Sequence, residues 1–283
     1  MKNLAFALFL ATVPCTIHEA LAQKISDYTL TIDKRSCDAA NMHVDCSFRL
    51  DFQQADSVSM AFGGDESLSI ENLTFGTGSG ITGRYVPAAK RVVFRRANRR
   101  RVSVSMSYDY TNLSAFFIYG AGNAELWETS FGEYYYPCMP NSSMELDIEV
   151  KTPDSLSLLC SYPLERTAPG CYGGRPGNVL AQSLTLAFFR TKAYTHSVCD
   201  TSCGKVDIYQ LTGMQCSPER CDELLALTQA AVDYFGHTYG EAYRSPQRKV
   251  PALPTFLFHD GKGFSNRYNI GFISASQEKF STY

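Results

Sequence analysis

Between residues 28 and 190, apolar side chains recur at every second position. Tyr28, Leu30 and Ile32 alternate with polar residues, as do Val44, Cys46, Phe48, Leu50 and Phe52, and then Val58, Met60 and Phe62. Val102, Val104, Met106, Tyr108 and Tyr110 form another such run, followed by Met144, Leu146, Ile148 and Val150, and by Leu184, Leu186 and Phe188. Successive side chains of an extended strand point to opposite faces, so this alternation gives one face to a core and the other to water. That is the signature of half-buried antiparallel strands, and it predicts a β-sandwich or a saddle of antiparallel sheets.

Near residue 216 the period lengthens. Ser217 is suited to cap a helix, with Pro218 in its first turn and Glu219 beside the positive end of the dipole. Leu224, Leu227, Ala231 and Phe235 keep helical spacing up to Gly236, a natural stop. KVDIYQL before it and KVPALPTFLF after it read as strands, the second delayed by Pro251 and Pro254. The order strand, helix, strand predicts the start of a small α/β unit near residue 200. The expected fold class is therefore mainly β: an antiparallel domain over residues 23–195, then an incomplete α/β unit over 196–283.

The first 22 residues read differently. Lys2 provides a positive start, LAFALFLATV an apolar core, and Ala20-Leu21-Ala22 a small-x-small cleavage site, with Gln23 as the new N-terminus. The apolar run is broken by Pro14, Cys15, His18 and Glu19 before it reaches the roughly 20 residues a membrane span needs. Pro14 also argues against lipidation of Cys15, because a small residue is wanted there. Cleaved export to the periplasm or the medium is the expectation, with no transmembrane segment in the mature chain.

At 283 residues the chain suits one large or two small domains. Its 26 basic and 28 acidic residues leave a net charge of -2, which speaks against a general nucleic-acid binder. Export makes close cysteine pairs candidate disulfides. Short loops suggest Cys37 with Cys46, Cys160 with Cys171, Cys199 with Cys203 and Cys216 with Cys221, leaving Cys138 over. A zinc site built from Cys199, Cys203, Cys216 and Cys221 is the alternative, but their spacings miss the usual CxxC knuckles.

Three segments invite a chemical reading. The loop GTGSG at 76–80 contains Ser79 but lacks both a nucleophile elbow and a phosphate-loop ending, and reads as a turn. KRVVFRRANRRR packs seven cations into twelve residues. Arg95, Arg96, Arg99, Arg100 and Arg101 form an anion-binding patch on one reading and a solvated hairpin on the other. LWETSFGEYYYPCMPN concentrates Trp127, Phe131, Tyr134, Tyr135 and Tyr136, as a surface for sugars or peptides or, by the burial such rings supply, as core.

The order of these segments resembles the aminopeptidase N family of zinc metallopeptidases. YYYPCMPNSSMELDIEVKTPDSLSLLCS is similar to that family's aromatic-Pro corner and the strands after it, and YTLTI, DCSFRLDF, SLSIENLTF and RRVSVSMSYDY to its saddle-shaped N-terminal domain. LTLAFFRTKAY, KVDIYQL, ELLALTQAAVDYFGHTYG and VPALPTFLF look like the entry to its thermolysin-like catalytic domain. The resemblance implies that Glu128, nine residues before Pro137, helps bind the free amine of a peptide, although Gly132-Glu133 replaces the common Ala-Arg. It implies that the stretch holding Gly261, Gly263, Phe264, Ser265 and Asn266 stands where a Gly-x-Met-Glu-Asn loop contacts substrate, here without its Met or Glu. The glycines there would leave a backbone edge for a peptide.

Members of that family follow this region with H-E-x-x-H and a distal Glu, which seat zinc and activate water. No such motif occurs in the sequence, whose histidines are never spaced i,i+4. The expectation is an exported, non-catalytic or truncated relative that holds no zinc of its own, does not hydrolyse peptides by itself, and binds a peptide or protein partner. The rival is an envelope adhesin or glycan-binding β-sandwich that uses the tyrosines or the arginine strip.

Overall fold

The computed structural model describes residues 24–64, 68–77, 81–113, 116–119, 123–129, 134–140, 142–180, 184–201, 204–212, 255–259, 265–267 and 270–274, with part of 219–237. The expected export signal lies outside these residues. The strands are β1 (Lys24–Asp33), β2 (Asn41–Asp51), β3 (Ser57–Gly63), β4 (Leu68–Thr77), β5 (Ile81–Val86), β6 (Arg91–Arg96) and β7 (Arg101–Asn112). They continue as β8 (Phe116–Tyr119), β9 (Asn123–Glu128), β10 (Tyr134–Cys138), β11 (Ser143–Lys151), β12 (Leu156–Cys160), β13 (Glu165–Ala168) and β14 (Cys171–Gly174). The last are β15 (Asn178–Leu180), β16 (Leu186–Arg190), β17 (Tyr194–Thr201), β18 (Gly204–Leu211), β19 (Thr255–His259), β20 (Ser265–Arg267) and β21 (Ile270–Ser274).

Mainly β is the observed class, and the period-two runs are its strands. The first sheet runs β13-β14-β11-β1-β2-β7-β4, with β15 also on β11. The second runs β10-β3-β6-β5 and the third β12-β16-β9-β8. Tyr28, Leu30 and Ile32 of β1, Val44 to Leu50 of β2 and Val102 to Tyr110 of β7 bury one face in a single core. That core also takes Val58, Met60 and Phe62 of β3 and Val92 and Phe94 of β6. One pair departs from the antiparallel expectation: β1 lies parallel to β11, Leu30 opposite Ile148. β11 arrives only after the chain has visited both other sheets, so no hairpin fixes its direction.

Where the first two sheets approach, side chains are trimmed to fit. A Cβ on Gly83 of β5 would sit 2.8 Å from the Phe75 ring of β4 and 3.2 Å from that of Phe94. Phe75 and Phe94 meet edge-on at 6.1 Å, so the glycine makes room for an aromatic contact between the sheets.

A fourth, mixed sheet follows, in the order β17-β18-β19-β21-β20. β18 and β19 run parallel, and a parallel pair needs a long crossover. The described residues of 219–237, Glu219, Asp222, Glu223, Ala226, Leu227, Ala230, Asp233, Tyr234 and His237, are helical, and supply it. Their spacing of three and four residues marks one helix face, and Leu227 and Tyr234 on it are exposed. This is the predicted strand, helix, strand order of an α/β unit.

The cysteine pairing is corrected. Cys37, Cys46, Cys138, Cys160 and Cys171 are free thiols. Cys37 is buried in the β1–β2 connection, its thiol donating to the Phe188 carbonyl at 3.4 Å, whereas Cys46 points into the core from the middle of β2. Cys160 is laddered to Leu186 on the third sheet and Cys171 to Lys151 on the first, so the proposed loop partners occupy separate sheets. Cys199 lies on β17 opposite Val206, while Cys203, Cys216 and Cys221 are outside the described residues. The basic segment is not a hairpin either: β6 belongs to the second sheet and β7 to the first, so the chain crosses between sheets there.

Burial pushes the thiols of Cys46, Cys138 and Cys160 up to about 12, far from the thiolate form that reacts. Iodoacetamide at pH 8 should therefore leave these three unmodified in the folded protein and label them in denaturant, as read by peptide mass spectrometry. Labelling in the native state at the rate of an exposed thiol would contradict this packing.

Candidate functional site

Two cores meet at the third sheet. Trp127 of β9 belongs to the main core, while Leu126 beside it packs with Leu159, Ala187, Phe189, Tyr194 and Leu211. The last two of these come from β17 and β18, so the mixed sheet docks on this side. Glu128 lies opposite Ala187 and, by strand alternation, shares the side of Leu126. It is only 2% exposed, which excludes an ordinary surface acid. The sequence resemblance thus singled out a carboxylate buried on the seam between the sandwich and the mixed sheet.

Ser265 and Asn266 fall on β20, the outermost strand of that mixed sheet, opposite Phe272 and Gly271 of β21. Among the described residues nothing pairs with the other side of β20, and a terminal strand can take a further strand there. Gly261, Gly263 and Phe264 lie outside the described residues.

The arginine run does not act as one patch. Arg96 pairs with Asp56 at 2.9 Å, and Arg100 and Arg101 both pair with Asp51, at 2.9 and 2.8 Å. Hydrogen bonds from Arg101, from the Gln53 amide and from Arg100 hold the Asp51 carboxyl well below the usual carboxylate range. Arg95 points outward from the second sheet, and Arg99 lines, with Arg101, a cavity of about 400 Å³ over Ser47, Ser103 and Ser105 on the first. Trp127, Tyr135 and Tyr136 of the aromatic run are core, at most 1% exposed and closed to sugars and peptides, while Tyr134 is half-buried and Phe131 lies outside the described residues.

A cross-strand cluster on the outer face of the first sheet was not legible in the sequence. His43 Nδ1 lies 2.9 Å from Asp109 Oδ1, its Nε2 3.3 Å from Ser107 Oγ, and Asn72 donates to the other Asp109 oxygen at 2.7 Å. The partners are 64 and 66 residues from His43, beyond any local motif. Nucleophile, base and orienting acid have this layout in acyl-transfer enzymes. Here, however, Asp45 Oδ1 stands 3.5 Å from the same Nε2, and β7 is laddered by β2 and β4 on both sides of Ser107. The nearby carboxylate opposes a developing oxyanion, and the backbone donors that would stabilise one are engaged in the ladder. The cluster clamps strands together.

Lys34 is the second group missed. It continues the inward parity of Tyr28, Leu30 and Ile32, and is fully buried. Its ammonium donates to the carbonyls of Ala39 at 2.6 Å and Asn41 at 2.9 Å, and sits 3.8 Å from the centre of the Trp127 ring. The cation closes the β1–β2 connection over the tryptophan from which Glu128 is the next residue.

Among the described residues no group of three or more His, Cys, Asp or Glu is placed to hold a metal ion. No helix among them is long and apolar enough to cross a membrane. No family model matches the chain, and no curated protein matches it.

Burial pushes the Lys34 ammonium down to about 7, partly opposed by Cys37 and Asp38. Between about 7 and the unfolded value near 10.5 the unfolded chain holds a proton that the folded chain has released, so this group makes stability rise with pH. Above about 9 the buried thiols oppose it, since their folded values are raised. Relative to Lys34→Met, the wild type should therefore gain up to about 1.4 kcal/mol of unfolding free energy per pH unit between pH 7 and 9. Urea titrations across that window measure it, and parallel pH profiles for the two proteins would refute it.

Proposed function

We propose that this chain is an exported relative of the N-terminal region of aminopeptidase N-like metallopeptidases, periplasmic or secreted, and that it binds an extended peptide by its free amino end without cleaving it. The observation that carries this reading is β20, the outermost strand of the mixed sheet among the described residues, whose backbone at Ser265 and Asn266 can take a further strand; Glu128, on the side of β9 that faces that sheet, is the residue the resemblance assigns to the amine. A peptide's ammonium group can meet a carboxylate through charge-assisted hydrogen bonds.

The same mixed sheet ends in β20, where Ser265 and Asn266 supply backbone for a peptide to add as a further strand. Such addition gives affinity through main-chain hydrogen bonds and little dependence on side chains. Amine recognition at one end and strand addition along the chain together favour short peptides with free amino termini. Cleavage in the family depends on a zinc-bound water, and the sequence supplies no H-E-x-x-H to seat the ion.

A C-terminally labelled tetra-alanine with a free amino terminus should bind at least about tenfold more tightly than its N-acetyl form, by fluorescence anisotropy, because a charge-assisted hydrogen bond is lost. Glu128→Gln, which keeps the side-chain shape, should abolish that preference while leaving the acetylated peptide's affinity unchanged. Equal binding of the two peptides by the wild type would overturn the amine assignment. Adjacent strand residues direct their amides to opposite sides, so of Ser265→Pro and Asn266→Pro one should block peptide and the other break the β20–β21 ladder. Stoichiometric zinc in protein purified from zinc-supplemented medium, by elemental analysis, would refute the non-catalytic assignment.

A further inference from the structure

We propose that the outer face of the β3–β6–β5 sheet binds an acidic polysaccharide through Arg84, Arg91 and Arg95. Ion pairing separates these residues from most of the other arginines, and Arg99, which also meets no carboxylate among the described residues, lies beyond β6 on the crossing to β7. Arg35, Arg49, Arg96, Arg100, Arg101, Arg166, Arg175 and Arg190 each meet a carboxylate of the protein. Among the described residues, Arg84, Arg91 and Arg95 have no carboxylate partner. Arg91 makes a long hydrogen bond, 3.5 Å, to Ser59 Oγ. Exposed Lys90, at the turn that leads into β6, adds a fourth cation at the same edge.

Register places the three guanidinium groups on one face. Arg95 lies opposite Thr82 of β5 and Ser57 of β3, Arg84 opposite Val93, and Arg91 opposite Val86 and Ala61. From strand geometry, Arg91 and Arg95 stand about 13 Å apart, with Arg84 about 8 Å from each on the neighbouring strand. The inward residues of the same strands, Val58, Met60, Val92, Phe94 and Ile81, are core, so this face cannot turn away from solvent. The outward positions of β3, β5 and β6 carry no acid at all. A chain whose net charge is -2 has thus gathered unneutralised cations on a single flat surface.

Charge complementarity calls for a polyanion, and the residues between the arginines select its class. Ser57, Ser59 and Thr82 present hydroxyls suited to sugar hydroxyls, while guanidinium groups take sulfate or carboxylate oxygens in pairs. Anions repeated along a sugar chain match cations spread in two dimensions. A membrane surface would use exposed apolar side chains to insert, whereas Val86 and Val93 are half-buried and no large exposed apolar residue lies on this sheet. Single-stranded nucleic acid would call for exposed rings to stack on, and these strands present none outward. This surface is independent of Glu128 and β20, so it stands or falls apart from the peptide reading.

Heparin is the probe. The wild type should be retained on immobilised heparin at low salt, released as salt rises, and not retained on neutral dextran. The triple variant Arg84→Ser/Arg91→Ser/Arg95→Ser should bind at least about tenfold more weakly, with a shallower salt dependence. The charge-matched variant Arg35→Ser/Arg166→Ser/Arg175→Ser, built on exposed, ion-paired arginines, should stay within about twofold of the wild type. Equal losses in the two variants would reduce the effect to net charge and overturn the proposal. So would displacement of heparin by phosphatidylglycerol vesicles or polyuridylate at concentrations where dextran sulfate fails. Thermal unfolding checks both folds, and should the triple variant fail to fold, phenylglyoxal modification of the wild type decides. Heparin should then protect Arg84, Arg91 and Arg95 and leave Arg35 reactive, whereas unprotected Arg84, Arg91 and Arg95 would overturn the assignment.

Discussion

A phenol taken out of water has to keep a hydrogen-bond partner, and the three sheets of the sandwich are latched by tyrosines that obey this constraint. Tyr28 of β1 donates to the Pro137 carbonyl at 2.9 Å, Tyr108 of β7 to that of Tyr135 at 2.8 Å, and Tyr135 itself to that of Leu184 at 3.0 Å. The two acceptors on β10 are available because that strand meets β3 only at Tyr134 and Cys138, with a register shift between them. Proline at 137 has no amide to offer a ladder in any case. Desolvation raises the three phenols well above their ordinary value, which keeps each of them a donor. Each bond contributes about 1 kcal/mol net, but losing one strands a buried carbonyl at a cost of about 1–3 kcal/mol.

Around these bonds the rings fill space with little freedom. Tyr135 and Tyr136 meet edge-on at 4.8 Å, Phe62 and Tyr108 at 4.9 Å, and Tyr28 stacks on Phe48 at 5.1 Å. Two polar side chains admitted to this interior are tied down. Asn112, which continues the inward row of β7, donates to the Tyr110 hydroxyl at 3.2 Å, and Lys34 spends its protons on two carbonyls and a ring. Lysine rather than an apolar residue at position 34 closes a loop whose carbonyls would otherwise turn inward unmet.

Strand periodicity carried most of the fold in legible form, because a side chain's face depends only on its parity once the chain is extended. Tyr28, Leu30 and Ile32 are buried as their alternation requires, and the same counting extended by one step would have placed Lys34 inside. The helical spacing before Gly236 was likewise readable. Cysteine spacing misled, since Cys160 and Cys171, eleven apart in sequence, were sent to different sheets by a connection that no local pattern records, while Cys37 turned to the Phe188 carbonyl and Cys46 into the core. The arginine run misled for a related reason: its members alternate faces and its end crosses from one sheet to another, so neighbours in sequence acquired different partners. Arg84 could join Arg91 and Arg95 only through the β5–β6 pairing. Glu128 was named from its distance to Pro137, but its burial came from the docking of β17 and β18, which sequence spacing does not report.

β9 touches both interiors at once. Trp127 faces the main core, Leu126 faces the smaller one, and the two are adjacent along a single backbone. Phe189 of β16, paired with Leu126, continues the second interior through edge-on contacts with Tyr194 and Tyr209 at 5.0 and 5.2 Å. A partition of this kind has no slack to absorb a disturbance on one side. Loosening the sandwich tilts the tryptophan's strand and withdraws the surface on which the mixed sheet rests, so the two units are bound to melt as a single cooperative body.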